Sequence, residues 1–418
     1  MNNKNAHKPG YKHTPLGWIP ENWDIMNLGQ LGALRKGKGI TKEQLTAIGL
    51  PCIRYGEIYT THDFIIREFK SHIPKEVADE SQEITNGDVL FAGSGETIEE
   101  IGKAVAYTKD IPAYAGGDII ILSTKENTSA EFISYMMETA LVRKQKRVLG
   151  QGNSVVHIYA SDLAKVKVPL PSQKQQWKIA AILTTWAEAV QTMQCLIEQL
   201  KQRNKGLSQQ LLNGKKRLKG FNGEWKEYSY EQLFKIVKRP VAWDDNTLYR
   251  LISVRRRSGG IFEREALYGH QIKVKDLRTT YTGDFLFSKM QIVHGASALV
   301  TNEFDGCQIS GSYIAVVAKD QKVLDLQYLN WHSQLPFFYH QTYISSYGVH
   351  IEKMTFDFES FLSLGIQLPS VEEQRAIVGV LKSAADELKI YEQKLVAIQQ
   401  QKKGLMQKLL SGEVRVKI

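Results

Sequence analysis

An α+β fold of two pseudo-symmetric lobes, separated by two long antiparallel coiled-coil helices, is predicted by three observations. A 45-residue stretch occurs twice, both copies carry heptad-like apolar spacing, and the segments ahead of them share short strand-opening motifs. Leu170-Pro171-Ser172 returns as Leu368-Pro369-Ser370, Gln176 as Gln374, Ile179 as Ile377, and Lys205-Gly206-Leu207 as Lys403-Gly404-Leu405. The offset is constant and ungapped (369 − 171 = 198; 412 − 214 = 198), so a half-and-half duplication organises the molecule.

In chain order, residues 1–13 form a flexible N-terminus, 14–170 the first lobe, 171–214 the first long helix and 215–219 a basic linker. Residues 220–368 form the second lobe, 369–412 the second long helix and 413–418 a tail. The lobes read as distant copies. Gly87-Asp88-Val89-Leu90-Phe91 matches Gly283-Asp284-Phe285-Leu286-Phe287, a turn leading into a strand, and Val156-His157-Ile158 matches Val349-His350-Ile351. Short β-branched runs punctuated by Gly and Asp read as strands, with helices expected near Ser129–Arg147 and Leu326–Tyr339. Trp225 echoes Trp23 at the start of its lobe.

Each long helix is bounded by matching signals. Ser172 with Gln175, and Ser370 with Glu373, have the spacing of capping boxes, and Gly214 and Gly412 supply left-handed stops. Between them the seam runs through Ile179, Leu183, Trp186, Val190, Met193, Ile197, Leu200, Leu207 and Leu211. Its copy runs through Ile377, Leu381, Ala384, Leu388, Tyr391, Leu395, Ile398, Leu405 and Leu409, and polar residues, Asn204 and Lys402, interrupt both at the same step. Because burial of each large apolar side chain contributes roughly 1.5 to 3 kcal/mol, each seam needs a cover, and the other seam is the obvious one. Symmetric antiparallel pairing sets Met193 against Leu395, Ile197 against Tyr391, and Trp186 near Lys402, with the ammonium over the indole face.

The 418 residues suffice for two or three domains, and no apolar run approaches a membrane span. The three cysteines, Cys52, Cys195 and Cys307, have no metal spacing and read as packing residues in a reducing cytoplasm. The net charge of +10 is uneven: residues 172–219 hold 9 Lys or Arg against 2 Asp or Glu, residues 370–418 hold 9 against 6, and both lobes balance to zero. A polyanion partner therefore requires charge segregated to faces of the lobes, as the clusters Arg143 to Arg147 and Arg255 to Arg257 allow. Catalytic signatures are missing from the sequence: it has no Asn/Asp-Pro-Pro-Tyr/Phe motif, no GxxxxGK[ST] or GxGxxG loop, and no HxH or HExxH metal spacing. Gly93-Ser94-Gly95 and Gly150-Gln151-Gly152 read as short turns.

With lobe, helix, lobe, helix in order, the chain resembles the specificity (S, HsdS) subunit of Type I restriction-modification systems. The resemblance rests on the opening segment from Thr14 to Trp23, the strand start Gly87-Asp88-Val89-Leu90, and the duplicated Leu-Pro-Ser helices that end in Leu-Leu-x-Gly. It implies that the lobes are target recognition domains, each reading half of a bipartite asymmetric DNA site. The helices then act as spacer and as docking surface for two modification (methyltransferase) subunits. It further implies that this chain is non-catalytic and binds no cofactor or metal itself, with S-adenosylmethionine on the modification subunits and ATP and Mg on the restriction subunits. Two readings compete with it, a coiled-coil scaffold whose lobes bind proteins and a self-contained DNA-modifying enzyme.

For direct readout, Arg matches guanine and Asn or Gln matches adenine in the major groove. The DNA-contact candidates in the first lobe are Lys36, Lys38, Arg54 and Glu57; a solvated loop for the lysines and a structural ion pair for Arg54 and Glu57 are the alternatives. In the second lobe they are Arg255, Arg256 and Arg257, ahead of Ser258-Gly259-Gly260, with Gln291 and His294; the alternative for the arginines is a solvated charge run. The segment Ser94 to Thr97 reads as a turn or as a backbone approach to phosphate. His157 and His350 read as structural or as DNA-facing.

Overall fold

The computed structural model describes residues 8–95, 97, 101–150 and 156–418. It divides into two compact units, residues 1–194 with 394–418, and residues 195–393. Each unit therefore holds one lobe, half of the helix that follows it and half of the other long helix.

In the first unit, one antiparallel sheet orders its strands Gly32–Lys36, Ile119–Thr124, Asp88–Ala92 and Ala104–Tyr107. A second runs Ser71–Ile73, Leu50–Ile53, Ala113–Ala115 and Gln82–Ile84, with one parallel pair in its middle. The second unit repeats both orders: Phe234–Val237, Tyr313–Ala318, Phe285–Ser288 and Ser297–Leu299, then Ile261–Tyr268, Leu248–Val254, Gln308–Ser310 and Leu277–Thr279. Its parallel pair is again the central one. The repeated Gly-Asp has a structural cause. Asp88 is buried, accepts from the Thr85 N–H at 2.9 Å and pairs with Arg35; Asp284 accepts from the Tyr281 N–H at 2.8 Å and pairs with Arg239 at 2.6 Å. Each carboxylate closes the turn that starts a core strand, and hydrogen bonds satisfy its buried charge.

The expected helical stretches are each broken into two, Ala130–Met136 and Ala140–Leu149, and Leu326–His332 and Pro336–Ile344. Ser129 and Thr139 cap the first pair through their hydroxyls. Pro336 opens the last helix, where no amide donor is required.

The long helices span Gln173–Leu212 and Val371–Leu410, 40 residues each and therefore about 60 Å long. Within each unit their halves run antiparallel. In the second, Asn204 donates to the Ala384 carbonyl at 2.9 Å, Arg203 pairs with Glu387 at 2.6 Å and Lys201 with Glu392 at 3.7 Å, so one residue number falls as the other rises. Asn204 and Ala384 keep the register that opposes Met193 to Leu395 (204 − 193 = 395 − 384 = 11). In the first unit Ile179, Leu183, Leu405 and Leu409 share one core; in the second, Leu211 shares a core with Ile377 and Leu381. All seventeen large seam residues are buried or half-buried.

Four expectations are corrected. Lys402 does not stack on Trp186: its ammonium lies over Phe64, 5.0 Å from the ring centroid, and bonds Asp63 at 2.9 Å, since a carboxylate beside an aromatic face holds a cation better than a ring alone. The reciprocal arm of the second capping box is not made. Ser370 caps Glu373 N–H, but the Glu373 carboxylate is taken by a bidentate pair with Arg217 at 2.6 and 2.7 Å. The Oε1 of Gln175, in the first copy, is buried without a partner among the described residues, so that box lacks its reciprocal arm as well. Cys195 is exposed, because it falls between seam positions on the outer helix face, whereas Cys52 and Cys307 are buried.

Gly214 and Gly412 are left-handed, with φ of 67° and 70°. A tryptophan packs beside each, Trp225 at Gly214 and Trp23 at Gly412, and an arginine three residues later lies over that ring, Arg217 and Arg415, both at 5.8 Å. The echo of Trp23 in Trp225 is thus a repeated helix-end packing motif.

Candidate nucleic-acid interface

One residue from each candidate set leaves its lobe at an equivalent place. Arg54 follows the strand Leu50–Ile53 and Arg255 follows Leu248–Val254, the second strands of equivalent sheets. The connection beyond differs. In the first lobe a short helix, Tyr55–Thr60, follows at once; in the second the six residues Arg255 to Gly260 turn directly into the next strand.

In the first lobe, Gly39, Ile40, Arg54, Tyr55, Thr60 and Asp118 line a concavity of about 600 Å³. Lys36 and Lys38 are exposed on its approach, Lys36 with its ammonium 4.0 Å from Asp118. Arg54 and Glu57 form an ion pair at 3.5 Å, and the Glu57 carboxylate, buried, also accepts from the Ser71 hydroxyl. That arrangement is the structural alternative named for this pair, and the adjacent Cys52 thiol is pushed up to about 12 by burial and, second, by the Glu57 charge.

In the second lobe the three arginines have three environments. Arg255 stacks on Phe262 with its guanidinium carbon 4.3 Å from the ring centroid, and Arg256 pairs with Glu352 at 2.9 Å. Arg257 is exposed and has no side-chain partner among the described residues. Its N–H donates to the His294 carbonyl at 2.6 Å, and the Ser258 N–H donates to Gly295 at 3.0 Å. His294 Nε2 lies 3.5 Å from Glu352, so the arginine turn and the Gln291–His294 segment, far apart in sequence, form one cluster. The Gln291 Oε1 is buried without a partner among the described residues.

Backbone strain marks the same two places. Among the described residues, the non-glycine residues with positive φ are Ile40 at 64°, Asp118 at 59°, Arg257 at 57° and Ser258 at 52°. The first two line the concavity of the first lobe and the others form the arginine turn. A β-branched isoleucine in that region is an outlier, and such strain persists where surrounding structure enforces it, often at functional sites.

Sequence reasoning missed Glu352, Phe262 and Tyr339, which shape the second site and have no signal of their own in the sequence. Ser94 Oγ bonds His157 Nδ1 at 2.8 Å, in line with the structural reading, whereas His350 is exposed. Glu96, and Gln151 and Gly152 of the second glycine turn, lie outside the described residues. No group of His, Cys, Asp and Glu among the described residues forms a metal-binding cluster, and no helix there is long and apolar enough to cross a membrane.

Residues 20–202 match a family model described as the Type I restriction modification DNA specificity domain. Over 97% of both sequences the chain is 25% identical to a Methanocaldococcus jannaschii protein provisionally named the type I restriction enzyme MjaX specificity subunit. Its fold matches the crystal structure of a Type I restriction-modification S subunit from M. genitalium over 100% of both chains, with a TM-score of 0.58 and 13% identity. The chain is thus similar to Type I restriction-modification specificity subunits over nearly its whole length. It is also 26% identical to the EcoKI specificity subunit of Escherichia coli strain K12 over 206 residues, 47% of this chain and 43% of that one. The matching model is described as a DNA specificity domain, and neither the scaffold reading nor the self-contained enzyme gains support from these likenesses.

Proposed function

We propose that this specificity subunit reads a bipartite asymmetric DNA site, one half with each lobe acting as a target recognition domain, and has no catalytic activity of its own. The observation that carries this reading is one strand order, present twice, from which different polar loops emerge at equivalent strand ends. A shared frame with unlike reading loops suits two unlike short sequences. The helices set the gap between half-sites and dock two modification subunits, through which restriction subunits join. S-adenosylmethionine belongs to the modification subunits, ATP and Mg to the restriction subunits, and the complex works in the cytoplasm. Lys36, Lys38, Arg54, Arg255, Arg256, Arg257, Gln291 and His294 form the DNA-facing set, with Glu57 holding Arg54.

Selection of binders from a mixed double-stranded DNA pool, by bandshift of the chain with its modification subunit, tests this. The expected product is two short defined sequences separated by a gap of fixed length. Enrichment of a single continuous site, or of none, contradicts it.

A further inference from the structure

We infer that Arg257 is the guanine-reading residue of the second lobe, with Tyr339 and Gly295 as the positions that hold it. The inference rests on the function proposed above and narrows it to one side chain. The three consecutive arginines are not equivalent. Arg256 is neutralised by Glu352, and Arg255 has its guanidinium face laid on Phe262, which ties its plane to that ring although its N–H donors stay open. The Arg257 guanidinium has neither contact, and its backbone is locked more tightly than its exposure requires.

The lock has three parts. Arg257 and Ser258 both adopt left-handed conformations, unfavourable for residues with a Cβ. Their amides are tied to the carbonyls of His294 and Gly295 at 2.6 and 3.0 Å, and the Ser258 hydroxyl meets the Tyr339 hydroxyl at 2.8 Å. Gly295 is itself left-handed at 74°, and a Cβ there would stand 1.9 Å from the Tyr339 oxygen, so only glycine lets the tyrosine reach the turn. A phosphate contact needs charge near a backbone and tolerates a mobile side chain. A guanine contact needs two parallel donors aimed at O6 and N7. A fixed origin for an arginine fork fits the second requirement.

The test uses the complete complex with its modification subunits and reads the recognised motif for the wild type and four variants. Arg257→Ala and Arg257→Lys are both expected to relax one guanine position in one half-site, lowering discrimination there roughly 5- to 150-fold, with the other half-site and the gap unchanged. Lysine keeps the charge but loses the fork, so failure of lysine to rescue is the signature of base reading. Arg257→Gly relieves the left-handed strain and is expected to lose the same preference without lowering the unfolding temperature, which a purely structural residue would not do. Tyr339→Phe is expected to relax the same position partially, as a positioning residue should.

An unchanged motif for Arg257→Ala overturns the inference. So does uniform weakening across sequences with rescue by lysine, which would make Arg257 a phosphate contact. If the wild-type complex itself has no chain-dependent motif, the proposed function fails first, and the inference with it.

Discussion

Gln176 and Gln374 show why single residues persisted through the duplication. Each is buried near the start of its long helix and ties that helix to a lobe. Gln374 donates to the Pro369 and Val323 carbonyls at 3.0 and 2.8 Å and accepts from the Asp325 N–H at 2.9 Å. Gln176 makes the same three kinds of bond, with Pro171, Asn127 and Ser129. Gln374→Leu would strand a buried donor and two acceptors, so we predict destabilisation of the second unit by about 2 to 4 kcal/mol in denaturant unfolding, whereas the exposed Gln400→Leu should change it little. His332 gives a pH prediction. Burial lowers its pKa from 6.5 to about 4, so the folded state favours the neutral ring. The associated stability is complete above pH 6.5, declines as the pH falls toward 4 while the unfolded chain takes up the proton, and declines no further below that. Acid unfolding of His332→Phe should lack this contribution, which has a slope of at most about 1.4 kcal/mol per pH unit; curves parallel to wild type between pH 6.5 and 4 would contradict it. The repeated glutamines were visible in the sequence as a coincidence at constant offset, but their partners were not, because backbone carbonyls and amides have no signature there.

The long helices were the most legible elements. Their bounds follow from the capping serines and glycine stops, their seam from a period near 3.5 that admits one buried stripe, and their antiparallel sense from symmetric pairing of the two copies. Asn204 illustrates the limit of that reasoning. It appeared as a defect in the seam, and in the structure it is a hydrogen bond to the opposite helix at Ala384. The partners of Lys402 and Glu373 were illegible for a different reason: both lie in segments distant in sequence, where charge and aromatic surface compete for the same side chain. Helix length carries a functional expectation. One turn rises about 5.4 Å and a base pair about 3.4 Å, so deleting one turn from the first long helix should shorten the gap between half-sites by one or two base pairs. Both half-site sequences should persist, as read from the methylated motif. Altered half-sites with an unchanged gap would contradict the spacer role.

At the scale of the molecule, the duplication has separated what is shared from what differs. Sheet order, the Gly-Asp turns, the glutamine ties and the glycine stops with their Trp and Arg partners occur in both units. The shared parts were legible wherever a motif survived in both copies. The connection after the second strand of the sheet with the parallel central pair differs completely, a helix in one lobe and a strained turn in the other. There the sequence offered only charge and glycine, which is why Arg54 and Arg257 received the same reading and turn out to have opposite surroundings. The central claim is that this chain determines which DNA sequence its complex modifies. Single-molecule sequencing of N6-methyladenine tests it in two hosts that express the modification subunit, with and without this chain. The account predicts a bipartite motif with a fixed gap that disappears when the chain is absent. Identical methylation in the two hosts, with the modification subunit shown to be expressed and bound to the chain, would contradict it.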